Sequence, residues 1–352
     1  MNPPDFRPVR CPNRRCVAFR DPPPRFWRRN GTYRPRCRKE PIPRFRCKLC
    51  RRGFSRQTFR LDYRDKRPEL NVELFKLLTS GVGLRQAGRC LELDVHAVQK
   101  KFRKLARHMR LLNRSLLRRL PPGRVLLLDE LESFEHTSVA PLTVPVLIDR
   151  TSKLVLATDV APIRRAARHG SPRRQRLERF EAKHGRRRDR GFASVRRVFG
   201  RLADLLRERP ATLATDEKTT YARQCRQRFG PQVVHCTVSS KRPRTGSNPL
   251  AAINMTDAML RDNNGRLRRR SWLVSKRGRY LRLQLELFTA YRNWHRRRHN
   301  DDPAQYTAGV AIGFCRRRLE VEELLAWRQD WRSRAIHPAS VEGQATVGQD
   351  VA

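Results

Sequence analysis

The chain has 352 residues, of which 80 are Lys or Arg and 33 are Asp or Glu, giving a formal net charge of +47 with 38% hydrophobic residues. No apolar run approaches the roughly 20 residues that cross a bilayer, and Met1-Asn2-Pro3-Pro4-Asp5 carries no apolar signal core, so a membrane protein is excluded and a cytoplasmic location is expected. A cation excess of this size points to a polyanionic partner, double-stranded DNA before a lipid surface, because the arginines run along the whole chain and not along one amphipathic helix.

Residues 1–62 are rich in Pro, Arg and Cys and hold no long periodic segment, so a module of this size needs a staple. Cys11, Cys16, Cys47 and Cys50 supply one. Two thiolate pairs, each carried by a hairpin, close a tetrahedral Zn²⁺ site, and four thiolates leave no open position for catalysis. Gly53 gives a tight exit, Phe54 a lid over the metal, and Tyr33 and Phe45 pack between the pairs. Cys37 is read as a bystander, and none of the 9 cysteines is expected in a disulfide in a reducing compartment.

Residues 63–120 are helical in pattern. Leu74, Leu77 and Leu78 form an apolar stripe that Gly81 stops, and Leu84–Leu91 follows as a short second helix carrying Arg85 and Gln86. Asp94 is the N-cap of a third helix that buries Val98, Phe102 and Leu105 at i, i+4 and i+7 and turns His96, Gln99, Lys100 and Arg103 outward. Short helices, a tight turn and a basic outer face describe a DNA-binding helix-turn-helix.

Pro121-Pro122-Gly123 breaks the helical pattern and opens an α/β segment over 121–300. Strands are expected at 124–128, 143–148 and 153–160, interrupted at Pro141 and at Asp149-Arg150-Thr151-Ser152. The Arg-dense stretch 164–190 reads as a loop or solvated helix, lying with Lys241–Arg244 against DNA phosphates. Then come a helix at 193–209, a strand ending in Asp216, a helix at 218–229 and a strand at 233–238. Pro249 opens a helix capped by Asn248 or Ser247, and another covers 278–298. Trp272, Tyr280, Tyr291 and Trp294 are read as packing residues, and 301–352 as a C-terminal helix and a disordered tail.

Val125-Leu126-Leu127-Leu128 ends in Asp129-Glu130, and Leu213-Ala214-Thr215 ends in Asp216. Acids at the ends of two apolar strands cost desolvation energy, and a divalent cation held against a phosphate offsets that cost, because hard cations take oxygen ligands. The plain alternative for each Asp is a turn or helix cap. Glu130 and Glu132 are read as solvated or paired with Arg, and Asp159 as a turn residue.

In this order, a zinc-ribbon-like start, a helix-turn-helix, Asp129-Glu130-x-x-Ser133-Phe134 and Thr215-Asp216, the chain resembles the DDE transposases of bacterial insertion sequences over about residues 10–300. The resemblance implies an RNase H-like mixed-sheet catalytic domain that uses Mg²⁺ (or Mn²⁺) for DNA cleavage and strand transfer. It also implies element ends and target DNA as partners, and a homo-oligomer acting on the nucleoid. Asp129 and Asp216 match the family's two aspartates. The family's third acid precedes an Asn/Arg-rich stretch that this chain offers as Ile253-Asn254, Arg261, Arg266-Leu267, Ser271 and Ser275-Lys276, so the third position is Asn254 where a Glu is expected. Asp257, one helical turn on, and Glu286 are the other candidates. The Asn keeps a second expectation open: a non-catalytic DNA-binding regulator or decayed transposase.

Overall fold

The computed structural model describes residues 6–34, 41–239, 241–243, 245–268 and 272–330. Cys37, Arg244, Ser271 and the tail 331–352 lie outside the described residues.

At the N-terminus a helical turn α1 (Val17–Arg20) precedes three antiparallel strands, β1 (Trp27–Tyr33), β2 (Ile42–Cys47) and β3 (Gly53–Ser55), in the order β1-β2-β3. Their core is small and aromatic: Phe6, Phe26, Phe45, Phe54 and Phe59 pack around the cysteines. Three helices follow: α2 (Asn71–Thr79), α3 (Leu84–Cys90) and α4 (Val95–Leu116). The breaks between them have local causes. Gly81 adopts φ +80°, and a Cβ there would meet Asp262 O at 2.7 Å, so only glycine fits the turn after α2. Asp94 caps α4 by accepting from the His96 and Ala97 N–H groups.

The main sheet has six strands. They are β4 (Arg124–Glu135), β5 (Thr137–Asp149), β6 (Val155–Thr158), β7 (Ala161–Pro162), β8 (Ala211–Thr215) and β9 (Val233–Thr237), with α5 (Pro172–His184) and α6 (Gly191–Leu206) before β8 and α7 (Thr219–Phe229) before β9. The order is β6-β5-β4-β8-β9, with β7 on β5. The β4–β5 and β5–β6 pairings are antiparallel, and β4–β8 and β8–β9 are parallel. The fold is therefore α/β with a mixed sheet. Helices α8 (Ala251–Asn263) and α9 (Gly278–Ala290) follow, α9 running into a π-helical turn at Tyr291–His295, then short α10 (Ala308–Ala311) and α11 (Val321–Ala326).

Strand alternation sorts the sheet into two faces. Leu126, Leu128 and Leu213 join a cluster with α4, α6 and α7, while Leu127, Leu131 and Ala214 join one with α8 and α9. The first cluster runs without interruption from Leu74 and Phe102 to Leu126 and Leu147. The Pro121–Gly123 turn thus changes the kind of element while the core continues across it.

The predicted break at Pro141 is not one: β5 runs through Pro141 and Pro145. Both prolines point their carbonyls away from β4, to Ile163 N and Asp159 N. Their missing N–H groups face that same side, so the ladder with β4 stays whole. The expected strand 153–160 is shorter, β6 covering Val155–Thr158, and a separate two-residue β7 follows at Ala161–Pro162. Trp272, read as a packing residue, is 94% exposed, whereas Trp294 is fully buried. The solvated helix expected within 164–190 is α5, in which Leu177 alone is buried.

Two buried polar groups make predictions about stability. Lys101 Nζ on α4 reaches Asp65 (2.7 Å) and Asn71 Oδ1 (3.1 Å). Burial works against the Asp65 carboxylate, but Lys101 outweighs it and holds the pKa low. Lys101→Met strands that carboxylate and is expected to cost about 3–5 kcal/mol, read as a lower denaturant midpoint that Asp65→Asn partly restores. His108 is fully buried, with Nε2 2.9 Å from Leu324 O and Nδ1 3.2 Å from Gln329 Nε2. Burial lowers its pKa from 6.5 to about 4. The unfolded chain takes up this proton near 6.5 and the folded chain only near 4. His108 therefore costs nothing above pH 6.5, and stability falls as pH drops toward 4, by roughly 3 kcal/mol in full. Urea midpoints between pH 7.5 and 4.5 should show that loss in the wild type and a shallower one in His108→Gln.

Candidate metal centre and nucleic-acid interface

The four predicted cysteines meet. Cys47 ends β2, Cys50 follows in the turn to β3, and Cys11 and Cys16 come from a turn that runs into α1, not from a second strand hairpin. Cys11 Sγ lies 3.5 Å from Cys50 Sγ, Cys16 Sγ lies 3.8 Å from Cys47 Sγ, and all four sulfurs fall within 4.8 Å of one another. Thiolates about 2.3 Å from a tetrahedral zinc stand about 3.8 Å apart, so the sulfurs already have the spacing of a structural zinc site. Burial raises the thiol pKa of Cys11 and Cys16. At Cys50 burial also works upward, but hydrogen bonds from Arg52 N–H and the Asn13 side chain outweigh it and bring the thiol to about 7. A bound cation removes the desolvation cost that keeps the buried thiols protonated.

The two predicted aspartates lie on neighbouring segments of the sheet, and the expected strand 124–128 does not stop at Asp129: β4 continues to Glu135, so Asp129 is within the strand, while Asp216 follows the end of β8. The parallel register pairs Leu127 of β4 with Ala214 of β8. Two residues further along the chain from each stand Asp129, still within β4, and Asp216, the first residue after β8. Both aspartates are half-buried, and Leu127 and Ala214, two residues before them, pack on the side of the sheet covered by α8. Asp129 Oδ1 accepts from Glu130 N–H at 2.6 Å, and Asp216 Oδ1 accepts from Lys218 N–H at 3.2 Å. Thr215 Oγ1 lies 2.9 Å from His235 Nε2, tying β8 to β9 below Asp216.

Glu130 departs from the sequence reading. Its side chain is 10% exposed and, among the described residues, pairs with Lys218 and not with an Arg, while also holding Thr143 and Tyr221, the last at 2.8 Å. Lys218 and Tyr221 open α7 just after Asp216, so this network ties the two acid-bearing segments together. The Tyr221 phenol is pushed up by burial and then by the negative charge of Glu130, with smaller contributions from Asp216 and Asp129. The sequence signal was the spacing Asp216-x-Lys218-x-x-Tyr221. Glu132 does pair with Arg165. Asp159 is no turn residue either: it is a buried acceptor for Ser194, Arg197 and Arg282.

The third position is less concentrated. Asn254 lies on α8 and lines a basic recess with Arg150, Lys153, Met255 and His299. That recess is beside the start of β4, where Arg150 N–H bonds Val125 O. Asp257 is half-buried one turn further along α8. Glu286 on α9 accepts from Asn113 and lines an arginine-rich recess at the β6 edge. Burial raises its carboxyl pKa against the pull of Arg110, Arg114 and Arg201. Among the described residues, the cysteine quartet is the one set of three or more His, Cys, Asp or Glu with ligand atoms within 4.8 Å.

On the helical side, Val98, Phe102 and Leu105 are buried, and His96, Lys100 and Arg103 are exposed, with Gln99 half-buried. Arg85 is exposed on α3, and Gln86 Oε1 accepts from Gly83 N–H at 2.8 Å, which makes its side chain a cap of that helix. No helix among the described residues is long and apolar enough to cross a membrane. Compared with known families and with curated proteins, the chain matches no family model and no curated protein.

Proposed function

We propose that the chain is a transposase of the bacterial insertion-sequence DDE type, which binds element ends and cuts and joins DNA with an RNase H-like domain. The observation that carries this reading is the parallel pairing of β4 with β8, whose last register pair, Leu127 with Ala214, lies two residues before Asp129 on one segment and Asp216 on the other. The order β6-β5-β4-β8-β9, antiparallel across the first three strands and parallel across the last three, supports it, as does the +47 charge. In this reading Asp129 and Asp216 hold Mg²⁺ or Mn²⁺, with the third ligand drawn from α8, at Asn254 or Asp257, or from Glu286. When bound, such ions activate water and neutralise charge at phosphorus. Glu130, Lys218 and Tyr221 keep the two strand ends in register. The helices α3 and α4, with Arg85, Gln86, His96, Gln99, Lys100 and Arg103, contact the element end, and the protein acts as a homo-oligomer on nucleoid DNA.

A second reading, a non-catalytic DNA-binding regulator, is favoured by Asn254, which brings no charge and opens onto Lys153 and His299. Duplexes tiling the DNA on either side of the gene decide between them. Nicking that requires Mg²⁺ or Mn²⁺ and stops in EDTA supports the transposase. Tight, specific binding with no nicking overturns it in favour of the regulator.

A further inference from the structure

The outward basic residues of α4 follow a strict spacing. His96, Lys100, Arg103, Arg107, Arg110 and Arg114 fall at i, i+4, i+7, i+11, i+14 and i+18, one stripe opposite the buried Val98, Leu105, Met109 and Leu112. At about 1.5 Å per residue the stripe is about 27 Å long, the span of about eight phosphates along one duplex strand at about 3.4 Å of axis per charge.

Its C-terminal half lines a cavity of about 710 Å³ whose far side carries Arg197 and Arg201 of α6 and Arg279 and Arg282 of α9, with β6 at its base. Two acids share this space. Asp159 is taken by Arg197 and Arg282, and Glu286 by Asn113. Among the described residues none of the other six arginines makes an ion pair, and Arg110 Nε is buried without a hydrogen-bond partner. Like charges gathered this closely repel, and a row of them matches a linear polyanion better than a single phosphate.

We infer that α4 is a phosphate track along which one DNA strand runs from His96 into the arginine-lined recess beside β6. The inference rests on the nucleic-acid part of the proposed function and not on its cutting chemistry, since β5 separates the β6 edge from the strand that carries Asp129.

The test is the salt dependence of binding to a random-sequence duplex and to the matching single strand, followed by fluorescence anisotropy. The triple variant Arg107→Gln/Arg110→Gln/Arg114→Gln should lower the slope of log K against log salt by about 3 on the duplex and slightly less on the single strand, at roughly 0.9 and 0.7 per lost phosphate contact. Lysine at the same three positions should restore the slope, which separates lost contacts from misfolding. A control triple, Arg226→Gln/Arg228→Gln/Arg316→Gln, removes the same charge from exposed positions off the track and should lower it by less than about 1. An unchanged slope, or an equal fall in the control, overturns the track; a loss confined to the duplex overturns its one-strand geometry. A chain that nicks no DNA yet loses the slope keeps the track and gives up the cutting reading.

Discussion

Asp129→Ala and Asp216→Ala are each expected to lower metal-dependent cleavage by at least about a thousandfold, because the charge stabilisation a bound metal gives at phosphorus is worth several kcal/mol and each 1.36 kcal/mol is about tenfold. Binding to DNA should stay near the wild-type value, since neither residue lies on α3 or α4. The measurement is nicking at fixed Mg²⁺ beside a binding isotherm for each variant. Cleavage within tenfold of wild type in either variant would remove the carboxylate pair from the chemistry. The same assay resolves the third position. Loss with Asp257→Asn but not with Asn254→Ala assigns it to Asp257, the reverse assigns it to Asn254, and loss with Glu286→Gln alone moves it to α9. Glu130→Gln should act differently. It weakens the tie to Lys218 and Tyr221 while leaving both aspartates in place, so a partial loss is expected.

Stripping zinc, or Cys16→Ser or Cys47→Ser, is expected to unfold residues 6–62 and leave the mixed sheet standing. The module's core is one small aromatic cluster built around the cysteines themselves, separate from the clusters of the main sheet. A core of that size supplies only a few kcal/mol, against apparent zinc-binding energies of about 10–16 kcal/mol in small zinc-folded peptides. Elemental analysis should give one zinc per chain, and limited proteolysis after chelation should cut within this segment first. Clearly less than one zinc per chain, with the segment still resistant to protease, would sink the assignment. Affinity should also fall as pH is lowered, because each thiol must lose its proton to ligate as a thiolate.

Much of the candidate site was legible in the sequence because its signals are local. Cysteine spacing announced the quartet. Gly81 and Asp94 set the ends of α2 and α4, since a positive φ and a side-chain cap depend only on a few neighbouring residues. The apolar runs before Asp129 and Asp216 announced the two strands, but only the second stops at its acid: β4 runs on through Asp129 to Glu135. Glu130 was misread because an acid among so many arginines looks solvated, and its partners lie on two other elements, Lys218 and Tyr221 at the start of α7 and Thr143 on β5. Pro141 was misread as a break because a proline's cost depends on which strand its missing N–H faces, and that is a property of the sheet.

The sequence by itself determined the elements, the cation excess, and the residue types available as ligands, because each follows from composition or from periods of two and 3.6 residues. Only the tertiary structure decided which of them meet. Parallel pairing of β4 with β8 brought the two acid-bearing segments together, and the chain path brought four distant sulfurs to zinc spacing. The continuous core carried α4 against α9 and the β6 edge, converting a basic stripe into one wall of a recess. Contacts between residues far apart in the chain depend on register and packing, and no local period encodes them.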